Sequence, residues 1–249
     1  MSDTWWISAR DLKPEQEAVV RIPGQGNFLV TGPPGCGKTN ALMLRAQYLN
    51  KKNRKNYQII VFTRALKEFL AACPNPSVPS TKLKTLSGWL METINTFNGQ
   101  VSVSDDFDTS RDENVATLEA LLDQRDAGAL IDTLLLDEVQ DFSEREVNLF
   151  RRVSREIYAV GDPRQRIYKE RGGLAAIRSF CQELPLTNHF RNGQAICKIA
   201  DHVGGRWDNY VPMLPTSMYK ESEMPSSCES ARYDDLDAQI EAIKGAIPL

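Results

Sequence analysis

An α/β fold with a mostly parallel sheet covered by helices on both faces is predicted for this 249-residue sequence by three observations. Apolar runs at residues 28–30, 57–62, 133–136 and 157–160 alternate with stretches of helical period, as central strands buried on both sides do. The first run leads directly into Gly32-Pro33-Pro34-Gly35-Cys36-Gly37-Lys38-Thr39, which fits G-x-x-x-x-G-K-[ST], and then into a helical stretch at 41–49. The run at 133–136 ends in two adjacent carboxylates, Asp137 and Glu138. Ligands of such sheets lie beyond the carboxyl ends of the strands, where the glycine-rich turn and both acids would meet.

Strand, glycine-rich turn and helix in that order are what a phosphate-binding loop requires. Gly32, Gly35 and Gly37 lack a Cβ, so the backbone can take positive φ and close round a polyphosphate with its N–H groups inward. The helix that follows adds its N-terminal amides. Lys38 would neutralise the β and γ phosphates of ATP, and Thr39 would offer its hydroxyl to a bridging Mg2+. Asp137 would complete the metal site. Glu138 would orient and deprotonate the water that attacks the γ phosphate. A glycine-rich turn with an incidental Lys-Thr, or an acidic strand end at the surface, would leave the shared order of these features unexplained.

The other elements follow in chain order. Pro14 suits the first turn of a helix over 12–20. Gln16 on that helix could reach an adenine edge, because an amide offers both a donor and an acceptor. Residues 23–26 break the helix. The strand at 57–62 runs through Thr63 and Arg64 into a helix at 65–72, and a proline-broken loop covers 73–79. A short third strand is expected at 81–86 and a helix from Ser87. Residues 99–112 are polar and acidic and read as a mobile surface loop, with a helix over 113–123. The strand at 157–160 ends in a Gly-Asp turn, and Gln165 beyond it is a candidate γ-phosphate sensor, since a neutral amide can change partner when the phosphate leaves. A further strand ends near 184–191. A helix at 194–203, a loop-rich stretch at 204–227, a strand at 231–233 and an amphipathic helix at 236–247 complete the chain. Trp5, Trp6 and Trp89 read as core or cap residues.

Charge and cysteine usage narrow the class. Thirty basic against 33 acidic residues give a net charge of −3, so any nucleic-acid surface must be a local patch. The five cysteines are dispersed without a C-x-x-C pair and there are only two histidines, which argues against zinc and for a reducing compartment. Neither a leader nor a membrane-spanning run is visible, so the expectation is a soluble cytoplasmic protein.

The order of these motifs resembles the superfamily 1 DNA helicases of the UvrD/Rep/PcrA type. Residues 12–16 look like their glutamine motif, 32–39 their Walker A, 61–66 (VFTRAL) their motif Ia and 85–87 their motif Ib. LDEVQD at 136–141 looks like their Walker B, 160–168 (VGDPRQRIY) their motif III and 186–191 their motif IV. The resemblance implies a RecA-like motor domain over 1–185, with a reduced insertion at about 96–128, and the start of a second motor domain at 186–249. It implies that Gln16 reads adenine, that Phe190 stacks on it, and that Pro33, Pro34, Cys36, Gln165 and Arg191 join Lys38, Thr39, Asp137 and Glu138 around the phosphates and metal. Single-stranded DNA would run along Phe62, Thr63, Arg64, Thr85, Tyr168 and Arg171.

Three departures from the family bear on DNA. Glu170 stands where a stacking tryptophan is frequent, His189 replaces an asparagine and Ser87 replaces a histidine. Nothing after Arg191 resembles motifs V and VI, so the reading is of a chain truncated before them. It would be poor at turnover and unable to unwind alone, with a second copy or another polypeptide supplying the missing motifs. The alternative is a helicase-derived regulatory or interaction module that uses nucleotide as a switch. A kinase is disfavoured, because GDPRQRIY has no role there.

Overall fold

The structure is a computed structural model that describes residues 8–23, 25–72, 78–165, 172–229 and 231–246. The described residues fall into two compact units divided between Arg191 and Asn192.

The first unit holds a six-stranded sheet. In chain order its elements are α1 (Pro14–Val20), β1 (Phe28–Thr31), α2 (Lys38–Lys51), β2 (Tyr57–Val61), α3 (Arg64–Ala72), β3 (Leu83–Thr85) and α4 (Leu86–Thr96). They continue with α5 (Phe107–Gln124), β4 (Ile131–Leu136), α6 (Glu144–Val153), β5 (Ser154–Gly161), α7 (Gly173–Arg178) and β6 (Gln182–Pro185). The strand order is β3-β2-β4-β5-β1-β6 and every pairing is parallel. All carboxyl ends therefore open on one edge, as expected for the α/β class.

The period-2 alternation of strands divides the core in two. Leu29, Ile60, Leu134, Leu136, Ile157 and Ala159 pack against α4, α5, α6 and α7. Phe28, Val30, Ile59, Val61, Leu135, Tyr158 and Val160 pack against α1, α2 and α3. Both faces are dry, which is why these strands read as unbroken apolar runs. Arg45, buried on α2, donates to the carbonyls of Ile22 (2.9 Å) and Pro23 (2.6 Å) and so fixes the chain that leads into β1.

Three local expectations are corrected. Helix α5 begins at Phe107, so residues 107–112 are not loop: the Asp106 carboxylate accepts the amides of Asp108 and Thr109, each at 3.3 Å, and caps the acidic segment into a helix. Residues 231–233 form no strand, and α9 (Leu236–Ala246) follows after a bend. The third strand is confined to Leu83–Thr85, because a 3-10 turn occupies Ser80–Lys82. Trp89 is buried in the α4 side of the core, as expected, whereas Trp5 and Trp6 lie outside the described residues.

The second unit contains α8 (Gln194–Gly204) and α9. Ile196, Ile199 and Val203 of α8 and Leu236, Ile240 and Ile243 of α9 are exposed. Among the described residues no helix is long and apolar enough to cross a membrane.

Candidate active site

Strand β1 delivers the chain into the 32–37 loop, and α2 starts at Lys38 with Gly37 as its N-cap. Two glycines make this turn possible. Gly35 has φ 80 and Gly37 φ 94, and a Cβ on either would collide, on Gly35 with Arg191 Cβ at 2.7 Å and on Gly37 with Gln16 Nε2 at 2.7 Å. Residues 190 and 191 thus lie directly on the loop, and the Phe190 amide donates to Gly35 O at 3.0 Å.

Gln16 is buried, and its amide faces the loop backbone. Its Nε2 donates to Cys36 O at 2.9 Å while its Oε1 accepts the Lys13 amide at 3.1 Å. Cys36 contributes main chain; its thiol is buried and pushed up in pKa by that burial, with the Lys38 charge opposing. The Lys38 ammonium turns into its own loop, donating to Gly32 O at 2.8 Å and Pro33 O at 3.1 Å.

Asp137 stands at the end of β4, its amide donating to Ile60 O at 3.0 Å so that the β2 pairing extends to it. Burial pushes its carboxyl up to about 7, the neighbouring Glu138 charge adds to the shift, and the Thr39 hydroxyl, the Glu138 amide and the Lys38 charge oppose it. Asp137 Oδ2 has no hydrogen-bond partner among the described residues. A buried, unsatisfied carboxylate oxygen beside a threonine hydroxyl suits a hard cation such as Mg2+, which binds few protein ligands and takes the rest from phosphate and water. Among the described residues no cluster of three or more His, Cys, Asp or Glu side chains could hold a metal.

Glu138 is half-buried and takes φ 49, ψ 51, a left-handed backbone that costs a non-glycine residue on the order of 1–3 kcal/mol. That conformation turns the chain into a 3-10 turn at Val139–Asp141. Gln140 then reaches back: its Nε2 donates to Glu138 Oε2 at 2.7 Å, and its Oε1 accepts the Asp162 amide at 3.0 Å. Asp162 is fully buried, its carboxylate 3.9 Å from the Lys38 ammonium and accepting the Arg164 amide at 2.9 Å. Gln165 is exposed, its amide donating to Asp162 O at 3.2 Å.

Gln140, Asp162 and Asn40 are the residues that sequence reasoning missed. Asn40 is buried in the first turn of α2 with both amide heavy atoms unpartnered among the described residues. The signal for Gln140 was present in DEVQD, but only the reversal at Glu138 brings positions 138 and 140 together.

Further along the same edge, Phe62, Arg64, Thr85, Leu86, Ser87, Phe107 and Arg111 line a cavity of about 160 Å3. It gathers three of the expected DNA contacts, Phe62, Arg64 and Thr85. The Thr63 and Thr85 hydroxyls serve as helix caps, accepting the amides of Leu66 (3.1 Å) and Gly88 (3.2 Å). Tyr168 and Arg171, with Glu170, lie outside the described residues.

A family model described as an AAA domain matches residues 15–171. No curated protein sequence matches the chain. Among solved structures the chain is similar to the Pif1 helicase from Candida albicans, with 19% identity, a TM-score of 0.45, and coverage of 72% of this chain and 40% of that one. Bacteroides Pif1 bound to ssDNA gives 15%, 0.43, 78% and 46% in the same order. The Aeropyrum pernix ORC1 protein in complex with DNA gives 14%, 0.40, 78% and 50%. The chain spans half or less of the length of each of these three.

Proposed function

This chain belongs to the AAA domain family over residues 15–171, and from that premise we propose that it is the ATP-hydrolysing core of a superfamily 1 DNA helicase-type motor, coupling hydrolysis to single-stranded DNA. The observation that carries the reading is the convergence of Lys38, Thr39, Asp137 and Glu138 at one end of the parallel sheet.

The amides of the 32–39 loop and the Lys38 ammonium bind the β and γ phosphates, Lys38 exchanging the carbonyls of Gly32 and Pro33 for phosphate oxygens. Thr39 and Asp137 would hold Mg2+, which when bound neutralises charge on the transferring phosphoryl group. Glu138 orients a water in line with the γ phosphorus and takes its proton as the new P–O bond forms and the bond to ADP breaks. Phe190 and Arg191, which abut the loop at Gly35, would cover adenine and meet the phosphates. The cavity at Phe62, Arg64 and Thr85 supports a strand path on the same edge, with an aromatic face and a cation for base and phosphate.

Steady-state ATP hydrolysis with and without single-stranded DNA, with Lys38→Ala as the blank, tests the proposal. Turnover that rises with DNA and vanishes in the variant is expected. A second reading, a nucleotide-dependent interaction module, is favoured by the exposed apolar residues of α8 and α9. Tight nucleotide binding without Lys38-dependent turnover under either condition would replace the first reading with the second.

A further inference from the structure

Gln140 takes no direct part in the chemistry assigned above, yet its amide is held at both ends. It is buried at 7% exposure, donates to Glu138 Oε2 at 2.7 Å and accepts the Asp162 amide at 3.0 Å. Gly161 keeps this space open: a Cβ there would sit 2.8 Å from Gln140 Oε1 and 2.7 Å from Val139 Cγ1.

We propose that Gln140 is a positioning residue that fixes the Glu138 carboxylate for its attack on the water, and ties it to the backbone of the turn after β5. The inference rests on the reading of Glu138 as the base. A half-exposed glutamate samples several rotamers, and only a fraction of them aim an oxygen at an in-line water. A charge-assisted bond from a buried amide removes most of that freedom and leaves the second oxygen for the water. Gln140 cannot flip to escape this duty, because a flipped amide would set its NH2 against the Asp162 N–H. Asp162 therefore sets the polarity of Gln140, and Gln140 sets the rotamer of Glu138. Because Gln165 donates its amide to Asp162 O, a displacement of the turn at Asp162 to Gln165 would be passed to Glu138 through one side chain.

Two variants separate positioning from simple structural support. Gln140→Met loses both hydrogen bonds. Gln140→Glu keeps an oxygen for the Asp162 amide, loses the amide donor and sets a second carboxylate against Glu138. Both are expected to lower kcat by about ten- to a hundredfold, the scale of a misplaced reacting group, with KM and the affinity for fluorescent ADP little changed. A role limited to supporting Asp162 would leave the Gln140 side-chain amide resonance unmoved in Glu138→Ala, whatever the kcat of Gln140→Glu. Independently of turnover, the Gln140 side-chain amide resonance in nucleotide-free protein, assigned by its disappearance in Gln140→Met, should shift in Glu138→Ala. Wild-type kcat in Gln140→Glu, or an unmoved resonance in Glu138→Ala, overturns the inference alone. Absence of Lys38-dependent turnover in the wild-type chain overturns the proposed function and the inference together.

Discussion

The Lys38 ammonium donates to the Gly32 carbonyl at 2.8 Å, so the cation proposed to meet phosphate is held by the loop it belongs to. On that proposal, nucleotide displaces an internal hydrogen bond when it binds. Lys38→Ala is expected to abolish the thermal shift given by ATP and Mg2+, which for the wild type at a hundredfold excess over Kd corresponds to about 2.7 kcal/mol. Differential scanning fluorimetry of both proteins with and without nucleotide checks this; an equal shift in the variant would count against the site.

Asp137 titrates within the physiological range. Its folded pKa of about 7 lies above the ordinary carboxylate value, so its stabilising contribution is fully present at low pH and is lost as pH rises through about 7. Asp137→Asn should remove that loss: between pH 5 and pH 8 the wild type should lose more stability than the variant. Cation binding needs the deprotonated form, so the affinity for Mg2+-nucleotide should rise across the same interval in the wild type and not in Asp137→Asn. Paired urea melts and nucleotide titrations at the two pH values measure both effects.

Arg111 and Glu146 form a buried ion pair that joins α5 to α6. Arg111 Nη2 donates to Glu146 Oε2 at 2.6 Å, and the guanidinium lies 5.4 Å from the Phe62 ring and 5.9 Å from that of Phe142. Glu146 also caps its own helix through the Ser143 amide at 2.8 Å. Removing one partner strands the other charge in the core, and Glu146→Ala is expected to cost about 3–5 kcal/mol in urea unfolding. A loss below 1 kcal/mol would show that the pair is solvated.

The cavity beside α5 should be separable from the nucleotide site. Arg64→Ala should weaken single-stranded DNA binding and reduce the salt slope by about 1, and Phe62→Ala should cost about 1–3 kcal/mol if a base stacks there. Fluorescence anisotropy over a salt series measures both, with fluorescent ADP affinity as the control expected to stay constant. Unchanged DNA affinity in the double variant would remove this cavity from the strand path.

The parallel sheet and the phosphate loop were legible because each is written locally. Phe28, Leu29 and Val30 are apolar in succession since both faces of β1 are dry, and the glycine spacing of 32–37 answers to backbone geometry. Asp137 and Glu138 were legible because they end such a run. What escaped depends on chain reversals, on residues distant in sequence or, at Asp106, on a helix cap that acidic composition masks. The acidic segment around Phe107 reads as loop, yet an acid at Asp106 is what starts a helix there. The sequence suggests a reach toward adenine for Gln16; its bond to Cys36 O crosses between elements and leaves no periodic trace.

The position of β1 also bears on how this chain is made. Phe28 is paired with Tyr158 on one side and Gln182 on the other, so the strand that carries the phosphate loop has both neighbours far downstream. During vectorial synthesis the glycine-rich turn emerges early and waits for β5 and β6 before it can be seated. Long-range parallel pairing of this kind is slow, and unpaired strands are exposed meanwhile. The glycine-rich loop thus cannot be seated before β5 and β6 have been made, and a ligand of that loop can stabilise the folded product without guiding the first steps of its folding.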